Sequence, residues 1–162
     1  MTRLTLKATV LVAMTAMATP AMAGETISSA GVGKGTNQTS IEVISEGHML
    51  MHTVSTYESF ESSVANNPYG GTTGKCWGAV EIRVPNASGG GNCLFVNAAG
   101  DKNFNAWTVT GLGKDGALQG RWTAIGGTGK YKNITGGGTF NSLADRKTGT
   151  FVNTVAGAVT LN

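Results

Sequence analysis

The sequence has little charge and few of the side chains that do chemistry. Only 13% of its 162 residues are charged, and it holds two histidines, two cysteines and three prolines. No Lys/Arg cluster could neutralise a row of phosphates, which excludes a nucleic-acid surface. Glycine is abundant instead, with 25 residues among many Thr, Ser, Asn and Val. This composition disfavours helices and favours strands joined by tight turns.

The first 23 residues have the pattern of a secretory signal peptide. Arg3 and Lys7 flank the start of an uncharged apolar run over residues 8–18, and Ala21-Met22-Ala23 is a small-x-small cleavage site. The alternative is an anchor helix, but the run is short for a bilayer span of about 20 residues. We predict cleavage of residues 1–23, export to the periplasm or beyond, and no membrane span after cleavage.

The remaining residues 24–162 suffice for one domain with a sizeable core. Cleavage leaves 10 Lys and Arg against 9 Asp and Glu, so the mature chain is nearly neutral. Alternating segments predict seven or eight antiparallel strands, and Gly120 and Gly157 suit the corners of a small closed barrel. A sandwich is the alternative. Residues 62–74 form the one long loop, either disordered or a lid.

The two cysteines, Cys76 and Cys93, are expected to form a disulfide in an oxidising compartment. Such a link would stabilise the fold by about 3 kcal/mol. Two buried thiols or a nucleophilic cysteine are the alternatives. A turn over residues 85–90 would place the two cysteines out of register, so that the disulfide would need a bulge or a diagonal reach.

Four residues are candidates for lining a ligand cavity. His48 and His52 share one strand face, about 13 Å apart at about 3.3 Å per residue, which is too far for one metal ion. They either line a cavity or are ordinary half-buried histidines, and we predict no metal site. Trp107 and Trp122 lie on neighbouring strands with matching parity, as core residues or as walls of an apolar pocket. Glu81 and Arg83 are predicted to face outward.

The most distinctive segment holds two glycine groups, Gly126, Gly127 and Gly129, then Gly136, Gly137 and Gly138, with Tyr131 and Ile134 between them. A dinucleotide fingerprint would require glycine where Lys132 stands, followed by a helix. We therefore interpret the segment as a structural device that lays Tyr131 and Ile134 over one end of the barrel.

The stretch Ile125-Gly-Gly-Thr-Gly-Lys-Tyr-Lys-Asn-Ile-Thr-Gly-Gly-Gly-Thr-Phe140 resembles the Gly-Gly-x-Gly-x-[Phe/Tyr]-x-x-[Ala/Ile]-x-Gly segment of plant dirigent proteins and allene oxide cyclases. It is most similar to bacterial secreted proteins with the allene-oxide-cyclase-like barrel. The resemblance implies an eight-stranded antiparallel, calycin-like β-barrel with a central cavity, often trimeric. It implies no reaction, and no catalytic residue is carried over.

These observations predict an exported all-β barrel that binds a small apolar ligand and uses no cofactor. A cyclase- or isomerase-type enzyme acting on an apolar substrate is one alternative. A structural or interaction protein with a filled barrel is the other. A cavity well below about 300 Å³ would argue against both binding and catalysis.

Titration of the denatured, unreduced protein with a thiol reagent should detect no free thiol, because Cys76 and Cys93 are joined. The same protein after reduction is the control and should show two. Two reactive thiols before reduction would contradict the disulfide.

Overall fold

The computed structural model describes residues 24–162, and the predicted signal peptide, residues 1–23, lies outside the described residues. The described chain is almost entirely β-structure, with a single 3-10 turn at Gly129–Tyr131. The strands are β1 (Glu25–Ser28), β2 (Gly31–Ser45), β3 (His48–Glu61), β4 (Thr73–Arg83), β5 (Asn86–Val96), β6 (Lys102–Leu112), β7 (Leu118–Gly127), β8 (Thr135–Asp145) and β9 (Thr150–Leu161). Within residues 24–162, no helix has the length and apolarity to cross a membrane.

The sheet closes on itself. Each strand from β2 to β9 pairs antiparallel with the next, and β9 pairs back with β2. The short β1 continues the line of β2 along the same edge of β9, with Glu25 opposite Leu161 and Gly31 opposite Val155. The result is an eight-stranded antiparallel barrel, as predicted, and the sandwich alternative is wrong. Closure leaves few free sheet edges.

The turn that the sequence predicts over residues 85–90 lies mostly within a strand. The β4–β5 connection is only Val84 and Pro85, with β5 beginning at Asn86. Glycine is common in turns, but Gly89 and Gly91 are needed here because neighbouring backbone approaches too closely for a side chain. The shorter turn places Cys76 directly opposite Cys93, so the expected register conflict does not exist.

The two ends of the barrel differ. The β2–β3, β4–β5, β6–β7 and β8–β9 turns surround an open end. The opposite end is closed by residues 62–72 and by the segment around Tyr131, whose side chain is fully buried. The Tyr131 hydroxyl donates a hydrogen bond to the carbonyl of Pro68, and Asn67 Nδ2 donates to the Ala30 carbonyl at 2.9 Å. The predicted loop is therefore an ordered lid, and Tyr131 and Ile134 plug this end as predicted.

Inside the barrel, large rings lie over glycines of neighbouring strands. The Trp107 ring covers Gly78 and Gly91, and the Phe140 ring covers Gly120. A Cβ at any of these glycines would overlap the ring or the adjacent backbone. The glycines thus let bulky aromatic side chains lie flat against the wall of a narrow barrel.

Replacing Gly91 by Ala should lower the free energy of unfolding by about 1–3 kcal/mol, because the new methyl group meets the Trp77 carbonyl and the Trp107 ring. Chemical denaturation measures the change. Gly111→Ala is the matched control, since its Cβ would have only Gln119 Oε1 nearby, at 3.8 Å. Equal stability of the two variants would contradict the ring-over-glycine packing.

Candidate functional site: the barrel cavity

A cavity of about 480 Å³ occupies the barrel and opens at the end formed by the short turns. Its volume falls within the roughly 300–1,000 Å³ of small-molecule sites. Aliphatic side chains line the outer part: Ile41, Met49, Met51, Ile82, Val84, Val109, Leu112 and Leu118. Trp107, Trp122 and Phe140 form aromatic walls. The barrel is therefore not filled by its own side chains.

The wall of the cavity carries charge only at its mouth. Among the described residues that line it, Asp145 and Arg146 are the charged ones, and both lie at the β8–β9 turn. The backbone N–H of Lys147, which donates to Asp145 Oδ1, holds the pKa of that carboxyl below its usual range. The interior thus offers no fixed charge to compensate an ionic ligand group, whose desolvation would be costly.

The inner end of the cavity is polar but neutral. Asn153 Nδ2 donates a hydrogen bond to the Tyr57 hydroxyl at 2.7 Å, and the Tyr69 hydroxyl donates to Asn105 Oδ1 at 3.0 Å. All four side chains are buried and all four line the cavity. Burial raises the pKa of Tyr57 to about 12 and raises that of Tyr69 further. Both phenols are therefore protonated near neutral pH.

The disulfide is confirmed and forms part of this inner wall. Cys76 and Cys93 are bonded to one another, with 4.0 Å between their Cα atoms. Both residues line the cavity beside Asn105, the cross-strand partner of Cys93. Because both sulfurs are in the bond, neither cysteine is a free thiol nucleophile.

The structure separates the four candidate cavity residues into two pairs. Trp107 and Trp122 line the cavity and pair directly across β6 and β7. His48 and His52 lie on the outer face of β3, because the alternate positions Met49, Met51, Thr53, Ser55 and Tyr57 face inward. The histidines do not line the cavity, and His52 instead borders a shallow outer groove beside Trp77.

Glu81 and Arg83 face outward on β4, as predicted. Glu81 Oε1 accepts hydrogen bonds from Arg83 Nε at 2.7 Å and from His48 Nε2 at 2.9 Å. The bond from Arg83, followed by that from His48, holds the pKa of the Glu81 carboxyl below its usual range. These are solvated surface interactions, which contribute little to stability.

No metal centre is evident in the described part of the chain. Across residues 24–162, no three His, Cys, Asp or Glu side chains lie close enough together to hold a metal ion.

The sequence analysis did not identify the polar residues at the inner end of the cavity. Asn153 shares a strand face with Phe151, Val155 and Val159, and an Asn on an apolar face is a signal for a buried polar site. Tyr57 lies on β3, which has apolar residues on both faces, so alternation alone does not identify the inward face of this strand. Tyr69 lies in the lid, where periodicity gives no information.

Comparison with known proteins supports the fold alone. No protein-family model matches the sequence, and no curated protein is significantly similar to it. A solved structure with a similar fold is that of the pterocarpan synthase dirigent protein GePTS1. The two superpose with a TM-score of 0.52 at 11% identity, covering 92% of this chain and 100% of the other. The chain thus has a dirigent-like β-barrel fold.

The three tyrosines, Tyr57, Tyr69 and Tyr131, should ionise above the ordinary tyrosine pKa of about 10, since burial raises the pKa of each. The stability that Tyr57 contributes in its neutral form is complete below about pH 10. It is lost as the pH rises toward about 12, by on the order of 2 kcal/mol.

Ultraviolet titration of tyrosinate absorbance measures the tyrosine pKa values of the native protein, with the denatured protein as control. A native titration curve that coincides with the denatured one, near the ordinary pKa, would show that the inner tyrosines are accessible to water.

Proposed function

We propose that this protein is an exported β-barrel that binds a small, neutral, mainly apolar molecule in its cavity. The observation that carries the proposal is the cavity of about 480 Å³, with apolar walls and no charged side chain in its interior. Transfer of apolar surface from water into such a site is favourable by about 25 cal/mol per Å². An ionised ligand group would lose hydration there without gaining a partner.

Export is supported by two features. The Cys76–Cys93 disulfide is typical of proteins that fold in an oxidising compartment. The sequence pattern of residues 1–23 is that of a secretory signal peptide. We propose that the mature domain acts in the periplasm or outside the cell, where it encounters its ligand.

We favour binding over catalysis. The titratable groups at the inner end, Tyr57 and Tyr69, both have a raised pKa, which removes them as general bases near neutral pH. The pterocarpan synthase dirigent protein shares this fold, but at 11% identity the likeness concerns the barrel and not its reaction. As protonated phenols, Tyr57 and Tyr69 are suited to donating hydrogen bonds rather than to removing protons.

A bulky side chain inside the cavity tests the proposal. Ser142 lines the cavity directly opposite Asn153 of β9, and the adjacent Asn141 is exposed on the outer face of β8. Ser142→Trp should reduce the affinity for the neutral fluorophore N-phenyl-1-naphthylamine at least about tenfold, because the indole occupies part of the cavity. Asn141→Trp is the matched control and should bind like the wild type. Fluorescence titration measures both.

Equal binding by both variants would place the fluorophore outside the cavity and contradict the proposal. Mass spectrometry of organic extracts from the purified wild-type and Ser142→Trp proteins identifies natural ligands. A neutral compound retained by the wild type and absent from Ser142→Trp is the expected result.

A further inference from the structure

The inner end of the cavity contains a hydrogen-bond donor that the protein itself does not use. Tyr57 and Asn153 share one hydrogen bond, in which Asn153 Nδ2 donates and the Tyr57 hydroxyl accepts. In this arrangement the phenolic hydrogen of Tyr57 is not needed for the pair. If the Asn153 amide is turned over, the Tyr57 hydroxyl donates to Asn153 Oδ1, and the amide hydrogens are unused instead. In either orientation the pair has a polar hydrogen without an acceptor in the protein.

The second polar pair is different. The Tyr69 hydroxyl donates its hydrogen to Asn105 Oδ1, so the phenolic hydrogen of Tyr69 is already committed within the protein. The two tyrosines line the same cavity and are similarly buried, with 7% and 4% of their surfaces exposed. With the two amides oriented in this way, the tyrosines differ in whether the hydroxyl hydrogen has a protein acceptor.

Buried polar groups in native proteins almost always find a partner, and an unused one is costly. Asn153 is 8% exposed, and its Oδ1 atom has no hydrogen-bond partner among the described residues. The Tyr57–Asn153 pair thus leaves an acceptor, Asn153 Oδ1, and a donor, the Tyr57 hydroxyl hydrogen, without partners at a position that faces a cavity large enough for a ligand.

The position of Tyr57 is rigid. Its ring packs edge-on against Phe95 and Phe151, with centroid distances of 5.1 and 4.7 Å, and lies over Gly33, where no side chain stands between ring and wall. A donor held in this way loses little conformational entropy when it binds an acceptor. The surroundings are aromatic and carry no charge, which suits a neutral acceptor.

We propose that the Tyr57 hydroxyl, positioned by Asn153, recognises a neutral oxygen acceptor, such as a ketone or ether oxygen, on the inner end of the bound molecule. This inference rests on the proposed function, because it names the polar group that an otherwise apolar ligand carries. Tyr57 is the specificity-determining residue, and Asn153 is a positioning residue.

A matched pair of ligands tests the inference: 2-acetylnaphthalene carries a carbonyl oxygen, and 2-isopropylnaphthalene has a similar shape without it. Each competes with N-phenyl-1-naphthylamine for the wild-type protein. The ketone should bind about tenfold more tightly than the hydrocarbon, which corresponds to about 1.4 kcal/mol and to one hydrogen bond at a buried donor. The preference should fall to less than about twofold in Tyr57→Phe.

Tyr69→Phe is the matched control and should retain the preference for the ketone, since the hydrogen of Tyr69 is already donated to Asn105. Binding of the hydrocarbon with unchanged affinity by both variants shows that the cavity is intact.

Retention of the preference in Tyr57→Phe, or its loss in Tyr69→Phe alone, would overturn the assignment to Tyr57. Equal binding of both naphthalenes by the wild type would overturn this inference and leave cavity binding standing. Binding of neither would overturn the proposed function itself.

Discussion

The structure depends on how large rings fit inside a narrow closed sheet. An eight-stranded barrel has an interior only wide enough for side chains or one small ligand. Here Trp107 lies over Gly78 and Gly91, and Phe140 lies over Gly120, so these rings stay against the wall. Space remains along the barrel axis, and it is this space that forms the cavity. If side chains stood at those glycines, the rings would be pushed inward and would fill the centre.

The ends of the barrel give the cavity its direction. The lid and the Tyr131 segment close one end through buried contacts, while short turns leave the other end open. Aliphatic side chains line the outer part, and hydrogen-bonded tyrosine and asparagine pairs lie deep inside. Under the proposed function, a ligand would pass Asp145 and Arg146 at the mouth and then the aliphatic side chains before it reaches the polar pairs. Such an order would disfavour ionic molecules, which would lose their hydration in the aliphatic part.

Apolar residues on the outer surface explain why the sequence does not show which face of β3 points inward. Leu50, Val54 and, on β4, Trp77 are each about two-fifths exposed on the outside of the barrel. Met49, Met51 and Tyr57 alternate with the β3 residues and face inward. With apolar residues on both faces, alternation establishes a strand but not its orientation. The histidines, which share the outer face with Leu50 and Val54, were candidates for the cavity for this reason.

The sequence by itself predicted the strand content, from alternation and composition, and the plug formed by Tyr131 and Ile134, from local glycine spacing. The disulfide partners followed because the sequence has only two cysteines. The eight-stranded barrel was implied by the family resemblance and was favoured over a sandwich by the positions of glycines. The sequence also placed Trp107 and Trp122 on one face, which proved to be the inner one. Only the tertiary structure decided that the β4–β5 turn is short, that the histidines face outward, and that Tyr57 meets Asn153 across 96 residues of chain. Register and long-range hydrogen bonds depend on sheet closure, and no local pattern encodes which distant side chains closure brings together.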